Sequence, residues 1–420
     1  MRRQQAFISS SVIVLLLIFP LRIALSKNPA TATKLNVNAR SAVLMEVTTG
    51  TILFEQNPNE PLEPASLTKI LTLYLVFEGL REGIVHLNDP VWISERAWRT
   101  GGSRMFLDVD TQVPLEEIIK GIAVASGNDA CVAIAEHMGG TVEAFVDAMN
   151  RKARALGLNH SHFLNPHGLP ARGQQTTARD IAILASAYIK RFPEALRYHS
   201  MKSYTFNNIT QPNRNHLLSK DPTVDGLKTG YVAAAGYHLV ATAKRNGMRL
   251  LAVIMGASSS RIRESEAEKL LNYGFRHFVL VEPVTPNYPT VTLRLWEGNA
   301  NYCKLHPMRS EKFVIPVEEK GSYRVRVNAP TDLTAPIKKN QPLGTVEILR
   351  ADQVVATVPL VSSAEIAKAG LPKRIWHYLV RLYLFRPHVI GLAAIALLGI
   401  FFFLRRRSRR RRPKTFFRRR

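Results

Sequence analysis

A serine and a lysine three residues apart offer this chain a nucleophile with its own base. Ser66 and Lys69 open a predicted helix, and this spacing places both side chains on one helix face. A serine hydroxyl attacks weakly until a base removes its proton, and a lysine serves as that base when burial or a nearby cation lowers its pKa. The alternative is that Ser66 caps the helix and Lys69 is a solvated surface residue.

Two further short motifs carry groups that suit the same chemistry. Ser-Gly-Asn at 126–128 places a hydroxyl and an amide on a tight turn, where they can bridge a catalytic lysine and a substrate amide. Lys-Thr-Gly at 228–230 offers a cation and a hydroxyl to a carboxylate, and its glycine permits close approach of backbone. Taken alone, the first motif is also typical of a helix cap and the second of a hairpin rim.

The elements around these motifs predict a sheet with helices packed on it. Apolar periodicity gives strands at 41–46 and 51–54, helices at 65–80, 142–156 and 177–191, two strands within 236–257, and a helix at 264–278. A further helical region at 115–137 is interrupted by the Ser-Gly-Asn motif at 126–128. Strands come first and last, with the helices between them, which is the order of a layered fold with one principal sheet.

The pattern changes to short alternating runs after residue 281. These runs lie at 291–295, 312–317, 323–327, 344–349 and 354–358. They predict a small all-β domain over 281–362, which a linker at 363–386 then follows.

Both ends of the chain carry signals for export and membrane insertion. Arg2 and Arg3 precede an apolar run and small residues near Ser26, which predicts a signal peptide over 1–26. Residues 387–404 are uncharged and mostly apolar, and they predict a single transmembrane helix with 405–420 as a basic cytoplasmic tail. The alternative for 387–404 is a buried core helix.

The positive charge is concentrated at the C-terminus. The formal net charge is +25, and residues 405–420 contribute ten arginines and one lysine without an acidic residue. Neither stacking aromatic residues nor a nucleic-acid-binding motif accompanies this run, so anionic lipid is the predicted partner and nucleic acid is not.

Cysteines and histidines give no sign of a disulfide framework or a metal site. The two cysteines are Cys131 and Cys303, and Cys131 lies in an apolar helical stretch that predicts a buried free thiol. His160, His162 and His167 cluster in sequence but match no zinc-binding spacing. We therefore predict no metal and no cofactor.

The three motifs, in this order, resemble the signature of penicillin-binding proteins and serine β-lactamases. The segments at 126–131, 165–169, 177–180 and 224–231 are similar to those of the low-molecular-mass D-alanyl-D-alanine carboxypeptidases, over residues 36–278. This resemblance implies an α/β fold of the α+β type, with a β-lactamase/transpeptidase-like antiparallel sheet and helices. It also implies that 281–362 is the small second domain of that family.

The resemblance assigns a role to each matching residue. It implies Ser66 as nucleophile, Lys69 as its base, Ser126 and Lys228 as a proton relay, the backbone N–H groups of Ser66 and Tyr231 as the oxyanion hole, Asn128, Thr229 and Gly230 as substrate-binding residues, and Arg263, with Arg214, as charges near the substrate carboxylate.

The same resemblance implies activity, partners and location. It implies a serine-type peptidase that removes the terminal D-alanine from peptidoglycan stem peptides and is covalently inhibited by β-lactam antibiotics. The catalytic domain is expected on the periplasmic side of the cytoplasmic membrane, anchored by one C-terminal helix. In many relatives a hydroxyl residue stands where this chain has Val232, which affects substrate selection and turnover.

Three other functions share features with this prediction. A β-lactamase often uses a Glu-x-x-Leu-Asn segment, which is missing near Asn165, and neither the β domain nor the anchor is expected in one. A peptidoglycan endopeptidase generally lacks the β domain. A non-catalytic wall-binding scaffold has no need of the intact Ser66, Lys69, Ser126 and Lys228.

Overall fold

Up to His277 the chain contains every predicted strand and helix, together with short elements and one long strand, Val224–Val232, that the sequence did not predict. The computed structural model describes residues 35–385 and 387–410. The strands are β1 (Ser41–Glu46), β2 (Ile52–Gln56), β3 (Pro90–Trp92), β4 (Gln112–Pro114), β5 (Ser203–Phe206), β6 (Ile209–Pro212), β7 (Val224–Val232), β8 (Gly236–Arg245) and β9 (Met248–Ala257). The helices are α1 (Lys69–Arg81), α2 (Glu95–Arg99), α3 (Leu115–Lys120), α4 (Asn128–Gly139), α5 (Val142–Ala155), α6 (Ala178–Arg191), α7 (Leu196–His199), α8 (Leu217–Lys220) and α9 (Ser260–His277).

Five of these strands form one antiparallel sheet in the order β2-β1-β9-β8-β7. Its central strands have few polar residues because helices cover both faces. On one face, Leu44 and Leu250 approach Gly274 of α9. On the other, Val43 and Val253 join the large apolar cluster formed by α1, α4 and α6. Successive strand residues point to opposite faces, so the continuous apolar runs of β1 and β9 supply both cores.

The closing helix begins four residues earlier than the sequence predicts. It starts at Ser260 rather than at Glu264, because the Ser259 hydroxyl caps it by accepting a hydrogen bond from the Ile262 N–H. The cap lies in a polar stretch where apolar periodicity carries no signal.

The second region is built almost entirely of strands, as predicted. It contains β10 (Phe278–Val284), β11 (Val291–Trp296), β12 (Tyr302–Pro307), β13 (Glu311–Pro316), β14 (Tyr323–Asn328), β15 (Asp332–Thr334), β16 (Pro342–Arg350) and β17 (Gln353–Ser362). Six form a sheet in the order β14-β16-β17-β12-β11-β15, and β10 pairs with β13. The sequence prediction missed β10, β12 and the short β15. Strand β12 alternates buried Cys303, Leu305 and Pro307 with more exposed polar residues, so only three residues carry its apolar face.

The predicted linker contains a helix, α10 (Leu371–Phe385), and α11 (Pro387–Arg410) follows it. Helix α10 lies against β11, where the Glu297 N–H donates to His377 Nδ1 at 2.9 Å. Within residues 35–385 and 387–410, no helix combines the length and apolar character that membrane crossing requires, so the predicted transmembrane helix is not found. The predicted signal peptide and residues 411–420 lie outside the described residues.

Candidate active site

Ser66 lies on a short 3₁₀ turn, Ala65–Thr68, that leads directly into α1. In a 3₁₀ turn, residues three apart are eclipsed, so the predicted spacing brings the two side chains together. The Lys69 Nζ lies 2.9 Å from the Ser66 Oγ. Ser66 is half-buried and Lys69 is fully buried. The alternative of a solvated surface lysine is therefore wrong.

Three oxygen atoms accept hydrogen bonds from the Lys69 Nζ, and two of them come from distant parts of the chain. Besides Ser66, its Nζ donates to the Asn128 Oδ1 at 2.7 Å and to the His167 carbonyl at 2.6 Å. Burial, together with the positive charge of Arg214, lowers the pKa of Lys69 to about 8. The neutral form needed in a base is consequently accessible near neutral pH.

Ser126 faces a second buried lysine. It has φ +61°, in the left-handed region, where a π-helical turn (Gly121–Ala125) gives way to α4. The Lys228 Nζ donates to the Ser126 Oγ at 3.0 Å. Burial lowers the pKa of Lys228 well below its ordinary value, and the nearby charges of Lys69 and Arg214 act in the same direction.

Asn128 connects Lys69 to the loop at 101–107. Its Oδ1 accepts from Lys69, while its Nδ2 donates to the Gly101 carbonyl at 2.8 Å. The neighbouring Asp129 is fully buried, and its carboxylate accepts backbone N–H groups of Met105 and Phe106 at 3.0 Å. The Ser-Gly-Asn turn thereby holds the 101–107 loop beside the site.

The Lys-Thr-Gly motif lies on β7, which forms the edge of the five-stranded sheet. A Cβ built on Gly230 would lie 3.1 Å from the Ala65 Cβ and 3.3 Å from the Ser66 N. A side chain at this position would push the strand and the nucleophile turn, Ala65–Thr68, apart by a few tenths of an ångström, so glycine permits their close approach. Thr229 is buried beside it, and Tyr231 is exposed with its ring 4.4 Å from that of Tyr237.

The two predicted arginines meet beyond Gly230. Arg263, on α9, lies with Nη1 3.4 Å from the Gly230 carbonyl and Nη2 3.3 Å from the Arg214 carbonyl. Arg214 in turn donates to the Ser103 hydroxyl at 2.7 Å. The structure therefore brings every predicted site residue into one cluster, with the arginines at its far end.

Sequence reasoning gave no role to the loop at 165–169, whose backbone contacts Lys69 and the nucleophile turn. A Cβ on Gly168 would lie 1.8 Å from the Ala65 carbonyl oxygen, and Gly168 has φ +87°. Its N–H donates to the Asn165 Oδ1 at 2.6 Å, and the Thr72 hydroxyl donates to the Pro166 carbonyl at 2.6 Å. The sequence marked 165–169 only as a segment similar to the family, and nothing local indicated which element it packs on.

The histidines and cysteines considered in the sequence analysis have the following surroundings. Among residues 35–385 and 387–410, no group of three His, Cys, Asp or Glu side chains could hold a metal ion. His167 Nδ1 accepts the Leu169 N–H at 3.1 Å. Cys131 is buried as predicted, and burial raises the pKa of its thiol to about 12.

The geometry agrees with what comparison with known proteins shows. Residues 28–259 match the family described as D-alanyl-D-alanine carboxypeptidase, and residues 278–368 match the one described as penicillin-binding protein 5, C-terminal domain. The chain belongs to the D-alanyl-D-alanine carboxypeptidase family. The resemblance read from the three motifs is thereby confirmed, as is the α+β fold with antiparallel sheets and a C-terminal β domain.

Other members of the family span both regions of this carboxypeptidase. D-alanyl-D-alanine carboxypeptidase DacC of Escherichia coli (strain K12) is 41% identical over 356 residues, which cover 82% of this chain and 88% of the relative. The crystal structure of penicillin-binding protein 5 from Haemophilus influenzae has a TM-score of 0.69 and 38% identity, covering 80% of this chain and 99% of that one. The predicted activity class, a serine carboxypeptidase, is confirmed at this level.

A third relative matches the catalytic region alone. Penicillin-binding protein D2 from Listeria monocytogenes, in its ampicillin-bound form, has a TM-score of 0.53 and 27% identity. The match covers 57% of this carboxypeptidase but 98% of that chain. Nearly the whole solved chain of that relative thus corresponds to little more than half of this one.

Proposed function

We propose that this protein removes the terminal D-alanine from peptidoglycan stem peptides through an acyl-enzyme on Ser66. The observation that carries the proposal is the buried Lys69 Nζ, 2.9 Å from the Ser66 Oγ, with a pKa lowered to about 8. A lysine in this state is a base of suitable strength and in contact with the hydroxyl that it must activate.

Acylation begins when neutral Lys69 accepts the proton of Ser66. The Oγ then bonds to the carbonyl carbon between the two D-alanines, and that carbonyl oxygen becomes an oxyanion. The backbone N–H groups of Ser66 and Tyr231 are the proposed donors to it, since β7 and the nucleophile turn approach each other closely at Gly230.

Release of D-alanine requires a proton on the departing nitrogen. The proton that Lys69 took from Ser66 is proposed to pass to that nitrogen through Ser126 and the buried Lys228, whose Nζ lies 3.0 Å from the Ser126 Oγ, so that Lys69 becomes neutral again. The C–N bond breaks as the tetrahedral intermediate collapses. Water then attacks the Ser66 ester, neutral Lys69 accepts the water proton and returns it to the Ser66 Oγ as the ester bond breaks, and the shortened peptide leaves with Ser66 and Lys69 regenerated.

The edge strand and the arginines suit a peptide that ends in a carboxylate. An edge strand presents backbone groups to which an extended peptide can pair. Asn128 is the proposed contact to the peptide amide, and Thr229 to the terminal carboxylate. Arg263 and Arg214 add positive charge at the same end of β7.

The same site is proposed to react with β-lactam antibiotics. A β-lactam carbonyl meets the same Oγ, base and oxyanion donors, and it acylates Ser66 without losing a leaving group because the ring opens. The ampicillin-bound form of the Listeria relative supports this reaction.

The location of the enzyme and the limits of its domains are also proposals. We place residues 36–278 and 281–362 outside the cytoplasm, after a cleaved segment at 1–26. We assign membrane association to 387–420. The support is compositional, an uncharged run at 387–404 followed by ten arginines. Within α10, Ile375, Trp376 and Leu379 are also exposed apolar side chains.

The deciding experiment measures D-alanine release from a synthetic peptide ending in Lys-D-Ala-D-Ala. Residues 27–386 are compared with the Ser66→Ala variant, which we expect to lose both release and covalent penicillin labelling while keeping its melting temperature. Labelling that persists in Ser66→Ala would refute the nucleophile. A folded parent that is labelled but releases no D-alanine would point instead to an endopeptidase.

A further inference from the structure

One buried histidine links the central sheet to the turn that carries the nucleophile. His238 lies on β8 with no exposed surface. Its Nδ1 accepts the Gly256 N–H at 3.0 Å, and its Nε2 lies 3.0 Å from the Glu63 carbonyl oxygen. A backbone N–H can only donate, so Nδ1 is unprotonated and Nε2 carries the hydrogen. His238 therefore donates to Glu63 in a defined tautomer.

Glu63 is three residues before Ser66, in a segment whose backbone makes few other hydrogen bonds. Pro64 has no N–H to donate, and Ala65 has φ +47°, a strained conformation for a residue with a Cβ. Before this segment, the Leu62 N–H and carbonyl both pair with Thr176 at 2.9 Å. The hydrogen bond from His238 on β8 then holds the carbonyl of Glu63, the next residue.

His238 also lies directly beside the point where β7 approaches the nucleophile turn. In the ladder between β7 and β8, His238 is the partner of Gly230. Gly230 is the residue whose missing side chain admits Ala65 and the Ser66 N. The paired residues Gly230 and His238 therefore both contact the chain around Ser66: Gly230 packs against Ala65 and the Ser66 N, and His238 donates a hydrogen bond to Glu63.

We infer that His238 is a positioning residue, whose Nε2–H bond to the Glu63 carbonyl aligns the Ser66 hydroxyl and N–H with β7. The inference rests on the proposed function, because its readout is acylation of Ser66. Burial lowers the pKa of His238 to about 4, which keeps the ring neutral and the tautomer intact at neutral pH. A small displacement of the nucleophile from its reactive geometry is enough to slow the reaction substantially.

Two substitutions separate the two bonds of the ring. In His238→Gln the amide nitrogen takes the place of Nε2 and still reaches Glu63, but the acceptor for Gly256 is lost. In His238→Asn the amide oxygen takes the place of Nδ1, and the donor to Glu63 is lost. Each variant loses one bond, so the pair is matched for loss of stability.

The measurements are the second-order rate of Ser66 acylation by a fluorescent penicillin, and kcat and KM for D-alanine release, all on the full chain. We expect His238→Asn to lose about tenfold in acylation rate and in kcat, with KM little changed, and His238→Gln to stay within about threefold of the parent. Leu270→Ala, a fully buried change on α9, is the stability control and should keep the parental rate.

Equal rates in the Asn and Gln variants would overturn the inference, as would a comparable rate loss in Leu270→Ala. If His238→Asn does not fold, the Gln variant decides alone, since a rate near that of the parent supports the inference and a tenfold loss refutes it. A folded parent that penicillin does not label overturns the proposed function, and the inference with it.

Discussion

At the scale of the residue, the site depends on two lysines that the fold removes from water. Loss of solvation destabilises the charged form of both Lys69 and Lys228, and Arg214 adds to both shifts. A solvated lysine is almost wholly protonated at neutral pH and has no lone pair to offer. Burial is therefore what converts a common Ser-x-x-Lys spacing into a nucleophile with a base.

The lowered pKa of Lys69 predicts how acylation depends on pH. The active form is neutral, so the rate should rise with pH as Lys69 loses its proton and should level off above its pKa of about 8. Between pH 7 and pH 9 the neutral fraction, and with it the acylation rate by a fluorescent penicillin, should increase about tenfold.

Lys69→Arg provides the matched control, because a guanidinium keeps its charge at every pH of the series. It should remain unacylated throughout. A parental rate that is flat from pH 7 to pH 9, or that still climbs steeply at pH 10, would show that Lys69 does not act as the neutral base.

At the scale of the element, the nucleophile turn lies between two glycines, one on a strand and one on a loop. Gly230 of β7 faces it from the sheet, and Gly168 faces the Ala65 carbonyl from the other side. The second contact also carries the His167 carbonyl, which accepts from Lys69 at 2.6 Å. A loop without regular structure thereby sets the geometry of the catalytic base.

Gly168→Ala should consequently cost both stability and activity. The added Cβ would lie 1.8 Å from a backbone oxygen, so the loop and the nucleophile turn must separate. Gly173→Ala is the control, since it also has positive φ, +96°, but no atom within 4 Å of the added Cβ. It should cost only the backbone strain, about 1–2 kcal/mol.

Melting temperature and the penicillin acylation rate distinguish these two variants. We expect Gly168→Ala to melt lower than Gly173→Ala and to lose most of its acylation at a temperature where both are folded. The same small effect in both would mean that the 165–169 loop yields without disturbing Ser66.

At the scale of the whole molecule, the chemistry is confined to the first region. The Listeria relative, which matches only 57% of this chain, is itself nearly complete in that match. No site residue comes from β10 to α11 among the residues described, and the second region has its own apolar core around Leu305, Ile348 and Leu360. The residues proposed for catalysis therefore all lie before β10.

Deletion of residues 387–420 should release an active enzyme from the membrane. The truncated and full-length proteins are fractionated after expression, and D-alanine release is measured per mole of penicillin-labelled enzyme. We expect the full chain in the membrane fraction, the truncated chain in the soluble fraction, and equal activity per labelled site. Full-length protein in the soluble fraction would refute membrane association through this segment.

The sequence by itself determined the first and last strands and the main helices of the region up to residue 277, the change to short strands near residue 281 and the chemistry of the three motifs. Those properties depend on residue type and local periodicity, which neighbouring residues carry. The helix at Leu371–Phe385 escaped prediction, although its pattern is local, and so did β12, whose apolar face is short.

Only the tertiary structure decided that Lys69 meets Asn128, 59 positions away, and the His167 carbonyl, 98 positions away. It also decided that His238 bonds to Glu63, 175 positions away. Burial and the pKa of a lysine are properties of everything packed around it, so no local pattern contains them. The motifs specify which groups react, and the packing of distant backbone around Ser66 decides whether they can.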